Sequence, residues 1–414
     1  MQNKKNPYAS SLKLLAGAIS IALLSGCAFK GSMNDKEMNK HLDASNYKAI
    51  ASVYLKDGKP NYRETSLVEL LKAGKAFNDA GMWRQSKRAF YLAHQKLAWK
   101  EDTVDTPSEV LNLIGTTLTS SKFGAYQGKI FEGGMLDYYQ AINEIMLGDE
   151  SNARVAFRRF DERMQNAVAQ FASFRDDAYK QARANFGQDQ TGGTAGNSYQ
   201  QIRNQVGVGV AQAPSGLPDA KIRIAVGEFM SGVFRATSSV NRDKSRDRVI
   251  GPLSKAYTSV SSVGGGQLVS KTARQLQARN LRSKGKVYIL YEDGRGPSFD
   301  EYRIDLPLFL VSNKVTYSGI ALPTFVPGKP AFGSLVLDGS QTVEMTNVNN
   351  LAGMEFTVAY PGIVTKAVVS TVVKTALQIA ANSEIDKETK DKPLLGALLK
   401  LGVGATQAAM TQAD

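Results

Sequence analysis

The residue with the clearest chemical signature is Cys27, the only cysteine in this chain of 414 residues. It follows a basic head of three lysines and an uncharged apolar run from Leu14 to Leu24. That run is too short to span a bilayer as a mature helix. A basic head, an apolar core and the small residues Ser25 and Gly26 before the cysteine together indicate a secretory signal peptide.

The tetrapeptide Leu24-Ser25-Gly26-Cys27 resembles the lipobox of bacterial lipoproteins. In that family the cysteine thiol is diacylated, the peptide is cut before it, and the new amine is acylated. The resemblance implies a signal peptide at residues 1–26 and a lipid anchor on Cys27, with palmitate among its acyl chains. An ordinary signal peptide that happens to contain a cysteine is the alternative. Lipoproteins retained in the inner membrane usually have Asp where this chain has Ala28, so we expect the outer membrane, with the body facing the periplasm.

Other groups that could do chemistry are few and scattered. The two histidines, His41 and His94, are far apart in sequence, which argues against a multi-histidine metal site. The acid pairs Asp149-Glu150 and Asp176-Asp177 fall on predicted turn or exposed helical positions, and glycoside hydrolysis would need such a pair held in a cleft. The run Gly265–Thr272 resembles a phosphate loop but lacks its second glycine. We therefore predict a protein that is not an enzyme and has no cofactor, metal or catalytic residue. Hydrolase activity that depends on such a carboxylate pair is the alternative.

The charge is concentrated in one sector. The chain has 51 basic and 38 acidic residues, and residues 221–286 contain fourteen bases and three acids, which gives a net charge of +11. An exported protein does not meet nucleic acid, whereas lipid phosphates and acidic proteins are available partners. One interpretation is a docking face, for which the candidates are Arg274, Arg279, Arg282 and Lys284. The other is a solvated helical face with little net effect.

The first half of the mature chain is predicted to be helical. Residues 27–46 are polar and predict a flexible tether. Residues 47–185 show helical periodicity, with turn glycines at Gly81 and Gly148. Their small and aromatic positions resemble tetratricopeptide (TPR) hairpins, whose period is 34 residues. The residues that match this packing pattern are Gly74, Phe77, Trp83, Phe90, Ala141, Gly148, Ala153 and Phe157.

The second half is predicted to change from helices to strands and back. Residues 186–218 predict a flexible linker or long loop, and residues 219–285 a basic helical hairpin region that ends in a helix from Lys271 to Arg282. Residues 286–360 predict a small antiparallel β domain with a hairpin at Asp338-Gly339. Its short strands include Lys286–Tyr291 and Glu355–Val358. Residues 361–414 predict helices, one packed on the sheet and one an apolar tail. The fold class is therefore α+β, with N-terminal TPR-like hairpins, a C-terminal β domain and a packing helix.

Several short motifs, in order, resemble an uncharacterised family of bacterial outer-membrane lipoproteins with TPR-like helices followed by a small β domain. The matching segments are Tyr126–Glu132, Tyr138–Asn143, Leu147–Asp149, Tyr291–Pro297, Arg303–Pro307, Gly319–Pro323, Glu355-Phe356 and Tyr360-Pro361. The resemblance implies architecture and localisation but supplies no catalytic residue. The basic loop Arg235–Arg248 departs from it, and relatives are expected to continue beyond Asp414.

The resulting functional hypothesis is a membrane-anchored, non-enzymatic protein–protein adaptor or assembly factor of the bacterial cell envelope. TPR-like helices would hold a helix or extended segment of another envelope protein, and the β domain would supply a second contact. The alternative is a periplasm-facing lipid- or glycan-binding carrier with a cavity between helices and sheet. A large apolar pocket would favour the carrier, and a filled core with an exposed aromatic surface would favour the adaptor.

Overall fold

The computed structural model describes residues 35–56, 58–60, 66–101, 129–187, 222–240, 246–277, 286–305 and 319–409. Helices dominate, and a small antiparallel sheet lies near the C-terminal end, so the predicted α+β class is confirmed. The predicted signal peptide, Cys27 and nearly all of the predicted loop 186–218 lie outside the described residues.

Within the described residues the elements follow one another in a mostly helical order. The helices are α1 Asp35–Asp43, α2 Tyr47–Ser52, α3 Leu67–Asp79, α4 Trp83–Glu101, α5 Ile130–Met146, α6 Glu150–Gly187, α7 Ala225–Thr237, α8 Arg246–Val260, α9 Gly264–Gln277, α10 Val348–Glu388 and α11 Pro393–Ala409. The strands are β1 Leu55–Lys56, β2 Lys59–Pro60, β3 Ser298–Asp305, β4 Gly319–Val326, β5 Val336–Leu337 and β6 Ser340–Gln341.

Helices α3 and α4 form the first hairpin. Ser66 begins α3, because its hydroxyl accepts the Glu69 backbone N–H at 3.3 Å and so caps the first turn. Gly81 ends the helix with a φ of +71°, a conformation that favours glycine. The absence of a side chain at Gly74 lets the Phe90 ring of α4 pack directly on the α3 backbone. The two helices are therefore held close together by one small residue and one ring.

Helices α5 and α6 form the second hairpin with the same plan. Gly148 turns the chain with a φ of +74°. Ala141 of α5 and Ala153 and Phe157 of α6 are buried where these two helices meet the core. The hairpins join through the stacked rings of Phe90 and Tyr139, whose centroids are 5.9 Å apart with an angle of 8° between the planes. Of the other predicted packing residues, Phe77 is buried and Trp83, the first residue of α4, is half-buried.

Helices α7, α8 and α9 continue the helical layer. The predicted hairpin corresponds to α7 and α8, although α7 begins at Ala225 rather than near residue 219. Helix α9 begins at Gly264, seven residues before the predicted start. The first turn of α9 packs closely against the backbone of residue 344. Only glycine fits there, because a Cβ at Gly265 would lie 2.6 Å from the Glu344 carbonyl oxygen. The strongly basic segment after Gln277 lies outside the described residues.

The β region is smaller than predicted. Strands β3 and β4 pair antiparallel over eight positions, from Ser298 opposite Val326 to Asp305 opposite Gly319. The predicted Asp338-Gly339 hairpin is present as β5 and β6, with positive φ at both turn residues. The prediction of a strand at Lys286–Tyr291 is wrong, because that segment pairs with no strand in the part of the chain that the structure describes.

Helix α10 replaces the predicted last strand. It begins at Val348, capped by the Asn347 side chain, and continues through Pro361, so the predicted boundary at residue 361 and the strand Glu355–Val358 are wrong. Burial explains the difference. Leu351, Ala352, Met354 and Phe356 are all buried, whereas successive side chains of a half-buried strand would alternate between buried and exposed. Phe356 packs between the rings of the two long strands, with centroids at 5.3 Å from Phe299 and 5.8 Å from Phe325. One helix thus covers the sheet.

The later part of the predicted tether is also helical. Asp35–Asp43 forms α1, with Lys40 and His41 in its last turn, where positive groups favour a helix end. At the other end of the chain, α11 corresponds to the predicted apolar tail helix. In the part of the chain that the structure describes, no helix has the length and apolarity needed to cross a membrane.

The close packing of Gly74 yields a stability prediction. Gly74→Ala should lower the free energy of unfolding by about 1–3 kcal/mol, because an added Cβ would lie 2.5 Å from Cε1 of the Phe90 ring. Gly402→Ala is the matched control, since Gly402 is an exposed helical glycine with open space around it. That control should be neutral or stabilising by up to about 1 kcal/mol. Urea denaturation of both variants measures the difference, and an equal effect would contradict the packing role of Gly74.

Candidate interaction site

A buried polar chain joins the two helical hairpins. The Ser86 hydroxyl donates to the Gly74 carbonyl at 2.7 Å, and the Asn143 amide donates to Ser86 at 2.8 Å. Asn78 in turn donates to the Asn143 side-chain oxygen at 2.8 Å. Because a buried polar group is costly without its partner, these bonds favour one alignment of α3, α4 and α5.

Two charged contacts lie on either side of this row of buried hydrogen bonds along α5. Lys87 lies 2.8 Å from Glu144, which is almost fully buried. Two turns away, the Arg163 Nε lies 2.7 Å from the buried Asp137 carboxylate. Arg163 also lies 3.3 Å from Nδ1 of His94, and burial lowers the pKa of that imidazole. His94 of α4 thus contacts the Asp137–Arg163 ion pair, so α4, α5 and α6 meet at one polar cluster.

The segment Tyr291–Pro297 is the centre of the site. Glu292 docks on the helical hairpins: its carboxylate lies 2.6 Å from the Lys75 ammonium of α3 and accepts the Tyr139 hydroxyl of α5 at 2.8 Å. The Lys75 ammonium also lies 5.3 Å from the centre of the Tyr139 ring. Burial and Glu292 raise the pKa of the Tyr139 hydroxyl. A segment of this chain without regular secondary structure therefore lies on a helical face that was expected to hold a partner's segment.

The next residue, Asp293, holds a second loop. Its carboxylate accepts the backbone N–H groups of Ala331, Phe332 and Gly333 at 3.1, 3.0 and 2.7 Å. These bonds, that of Phe332 first, lower the pKa of Asp293. Gly294 follows with a φ of +76°, at a point where a Cβ would collide with the backbone of the second loop. The Asp293 carboxylate thus holds the backbone of the turn at residues 331–333 in one conformation.

Arg295 extends the same segment to the N-terminal helix. Its guanidinium donates to the Asn39 carbonyl of α1 at 2.9 Å and forms an ion pair with Asp43. Residues 292, 293 and 295 therefore connect the hairpins, the second loop and α1 from one short stretch. Local sequence patterns in this stretch do not indicate these roles, because they depend on partners up to 256 positions away.

The turn held by Asp293 exposes apolar side chains. Phe332 is 84% exposed although its own N–H is bound by Asp293. Val336 and Leu337 of the β5–β6 hairpin are 63% and 55% exposed, and Leu335 beside them is 37% exposed. We refer to Phe332, Leu335, Val336 and Leu337 as the Phe332 patch. An exposed apolar set on a fixed backbone is typical of an interaction surface.

Two buried carboxyls act within the fold. Glu355 of α10 accepts the Phe131 backbone N–H at 3.1 Å and so caps the start of α5. Burial raises its pKa to about 8. Burial likewise raises the pKa of Glu228 to about 7, although Arg223 lies 2.7 Å away and opposes the rise. Both groups are enclosed by helices, where they position helix ends and turns.

The predicted basic docking face is described only in part. Arg274 is exposed on α9, whereas Arg279, Arg282 and Lys284 lie outside the described residues, as does Cys27. A cleft of about 490 Å³ lies at the start of α6, and polar groups line most of it, including Glu150, whose carboxylate accepts the Ser239 hydroxyl at 2.7 Å. Among the described residues, no cluster of three or more His, Cys, Asp or Glu side chains could hold a metal ion.

Comparison with known proteins gives no further assignment. No family model, no curated protein and no solved structure matches this chain. The features that bear on function are the Tyr291–Pro297 segment, the surface that it fixes and the sequence at the N-terminus.

The role of Asp293 predicts a local change in dynamics. Asp293→Asn should speed hydrogen exchange at the amides of residues 331–333 by roughly tenfold, because an amide oxygen replaces a charged acceptor. Exchange followed by mass spectrometry measures this effect. Asp300→Asn, at an exposed position of β3, is the control and should leave those amides unchanged. Unaltered exchange in the Asp293 variant would show that the carboxylate does not hold this loop.

Proposed function

We propose that this protein is a lipid-anchored adaptor of the bacterial cell envelope, attached to the outer membrane, facing the periplasm and acting without catalysis. The observation that carries the proposal is the Phe332 patch. Its central ring is 84% exposed while the backbone beneath it is fixed by Asp293. An aromatic side chain on a preorganised backbone loses little freedom when it binds, which is the property of an interface anchor.

The helical hairpins support this proposal as a scaffold. Asn143 and Ser86 join the hairpins through buried hydrogen bonds, and Glu292 joins them to the segment that mounts the patch. The patch is therefore connected to the helical layer by charged contacts at both Glu292 and Asp293. A partner that contacts the patch would be held at a defined orientation to the rest of the protein.

The anchor supports the cellular setting of the proposal. The Leu-Ser-Gly-Cys27 tetrapeptide supplies a site for acylation, and two or three acyl chains hold a protein on a membrane essentially permanently. A fixed membrane position converts a modest partner affinity into lasting association, because the partner's effective concentration at the membrane is high.

Photocrosslinking in intact cells tests the adaptor role. Phe332→benzoylphenylalanine should give discrete light-dependent adducts with an envelope protein. The same replacement at Tyr257, an exposed aromatic residue on α8, should not. Phe332→Ser should reduce co-purification of the captured protein by at least about tenfold, as expected for an interface anchor. Identical adduct patterns from the two positions, or none from position 332, would contradict the proposal.

A second experiment tests the anchor. Cys27→Ser should lose metabolic labelling with palmitate and change its membrane fractionation, because the acceptor thiol is gone. The folded body should remain intact, as judged by circular dichroism and by resistance to protease. When Cys27→Ser is combined with benzoylphenylalanine at position 332, loss of the adduct would show that the anchor brings the patch to its partner. Retained palmitate labelling would refute lipidation at this cysteine, and an undiminished adduct would refute its importance for docking.

A further inference from the structure

Helix α11 exposes a wholly apolar side. Leu394, Leu395, Leu398 and Leu401 are 78%, 47%, 60% and 63% exposed. The only charged residue of α11 is Lys400, and its ammonium lies 2.5 Å from Asp386 of α10, so the helix directs its charge towards the helix on which it packs. The apolar side points away from that contact.

The exposed residues form one continuous surface. At about 100° per residue, Ala397, Leu401, Leu394, Leu398, Gly402 and Leu395 follow one another around an arc of about 160° of the helix. All six are exposed, and none of them is polar. Soluble domains rarely leave such a surface uncovered, so it requires an occupant.

The size of the surface argues against a second copy of this chain as that occupant. A stable protein interface usually involves about 20–30 residues on each side. Among the residues of α11 whose side chains are described, from Pro393 to Val403, the exposed apolar set has six members on one face of a single helix. A lipid surface has no such minimum, because an amphipathic helix inserts alone and gains from each apolar side chain that it buries.

The position of the proposed anchor favours lipid. Seven residues separate Cys27 from Asp35, the first residue of α1, so α1 lies within about 30 Å of an acylated cysteine. Through Arg295, α1 is joined to the segment whose Asp293 binds the turn at residues 331–333, and Gly328 just before that turn donates to Asn349 at the start of α10 at 2.8 Å. Helix α10 has 41 residues and is about 60 Å long, and α11 packs at its far end. The anchor and α11 would thus attach the protein at both ends.

We infer that the leucine side of α11 inserts into the surface of the membrane that holds Cys27, with α10 lying along that membrane. This inference rests on the proposed lipid anchor. Residues 384–400 contain four acids and four lysines, so the attachment is apolar and does not require anionic lipid.

Site-specific fluorescence tests the inference on the lipidated full chain reconstituted in phosphatidylcholine vesicles. Leu398→Cys is labelled with an environment-sensitive maleimide dye, and Thr258→Cys, exposed on α8, is the control. The dye at position 398 should shift to the blue and lose about half of its emission to lipid that carries a spin label high on the acyl chain, as expected for shallow insertion. The dye at position 258 should do neither.

The outcomes separate this inference from the proposed anchor. The unmodified chain has no thiol other than Cys27, so dye labelling of that chain would show an unlipidated cysteine and would refute the anchor itself. With the anchor intact, equal behaviour of the two labelled positions would overturn the insertion of α11. A blue shift that grows with protein density but resists the lipid quencher would overturn it in favour of self-association.

Discussion

Two adjacent carboxylates, Glu292 and Asp293, connect the helical hairpins to the turn at residues 331–333, and among the described residues no strand pairing joins these two regions. One carboxylate reaches the Lys75–Tyr139 pair, while the other binds the turn at residues 331–333. Each group accepts several hydrogen bonds, and hydrogen bonds to a charged acceptor are about twice as strong as neutral ones. Together with the packing of α10 in the main core and the bond from the Phe131 N–H to Glu355, these contacts position the C-terminal part against the helices.

The helical layer is ordered by buried polar groups as much as by apolar packing. Asp137 is fully buried beside Arg163, and Ser86 and Asn143 are buried in the adjoining hydrogen-bonded chain. A buried ion pair contributes little net stability, because removing two charges from water offsets much of their attraction. An incorrect alignment would leave these groups unpaired at a cost of several kcal/mol. Their main effect is therefore to exclude other alignments of α4, α5 and α6.

Sequence patterns predicted the helical hairpins better than the β region. Turn glycines and small–aromatic pairs such as Gly74 with Phe90 act between neighbours in the chain, so their spacing reveals them. Leu351–Phe356 misled strand prediction, because burial on all sides removes the periodicity that distinguishes helix from strand. The roles of Glu292 and Asp293 were not predictable, since an acidic pair beside a glycine ordinarily indicates only a turn. Their partners are brought near by tertiary contacts.

The Phe332 patch and the leucine side of α11 differ in how firmly their backbones are held. This difference suits them to different binding partners. Phe332 stands on a backbone held by three hydrogen bonds to one carboxylate, which fixes its direction. A protein partner with a shaped pocket benefits from that precision, because less freedom is lost on binding. The leucines of α11 lie on a single helix joined to α10, and a fluid lipid surface demands only that they share one side. A protein held along a membrane by one surface would present the other at a constant orientation, which is the physical requirement for an adaptor.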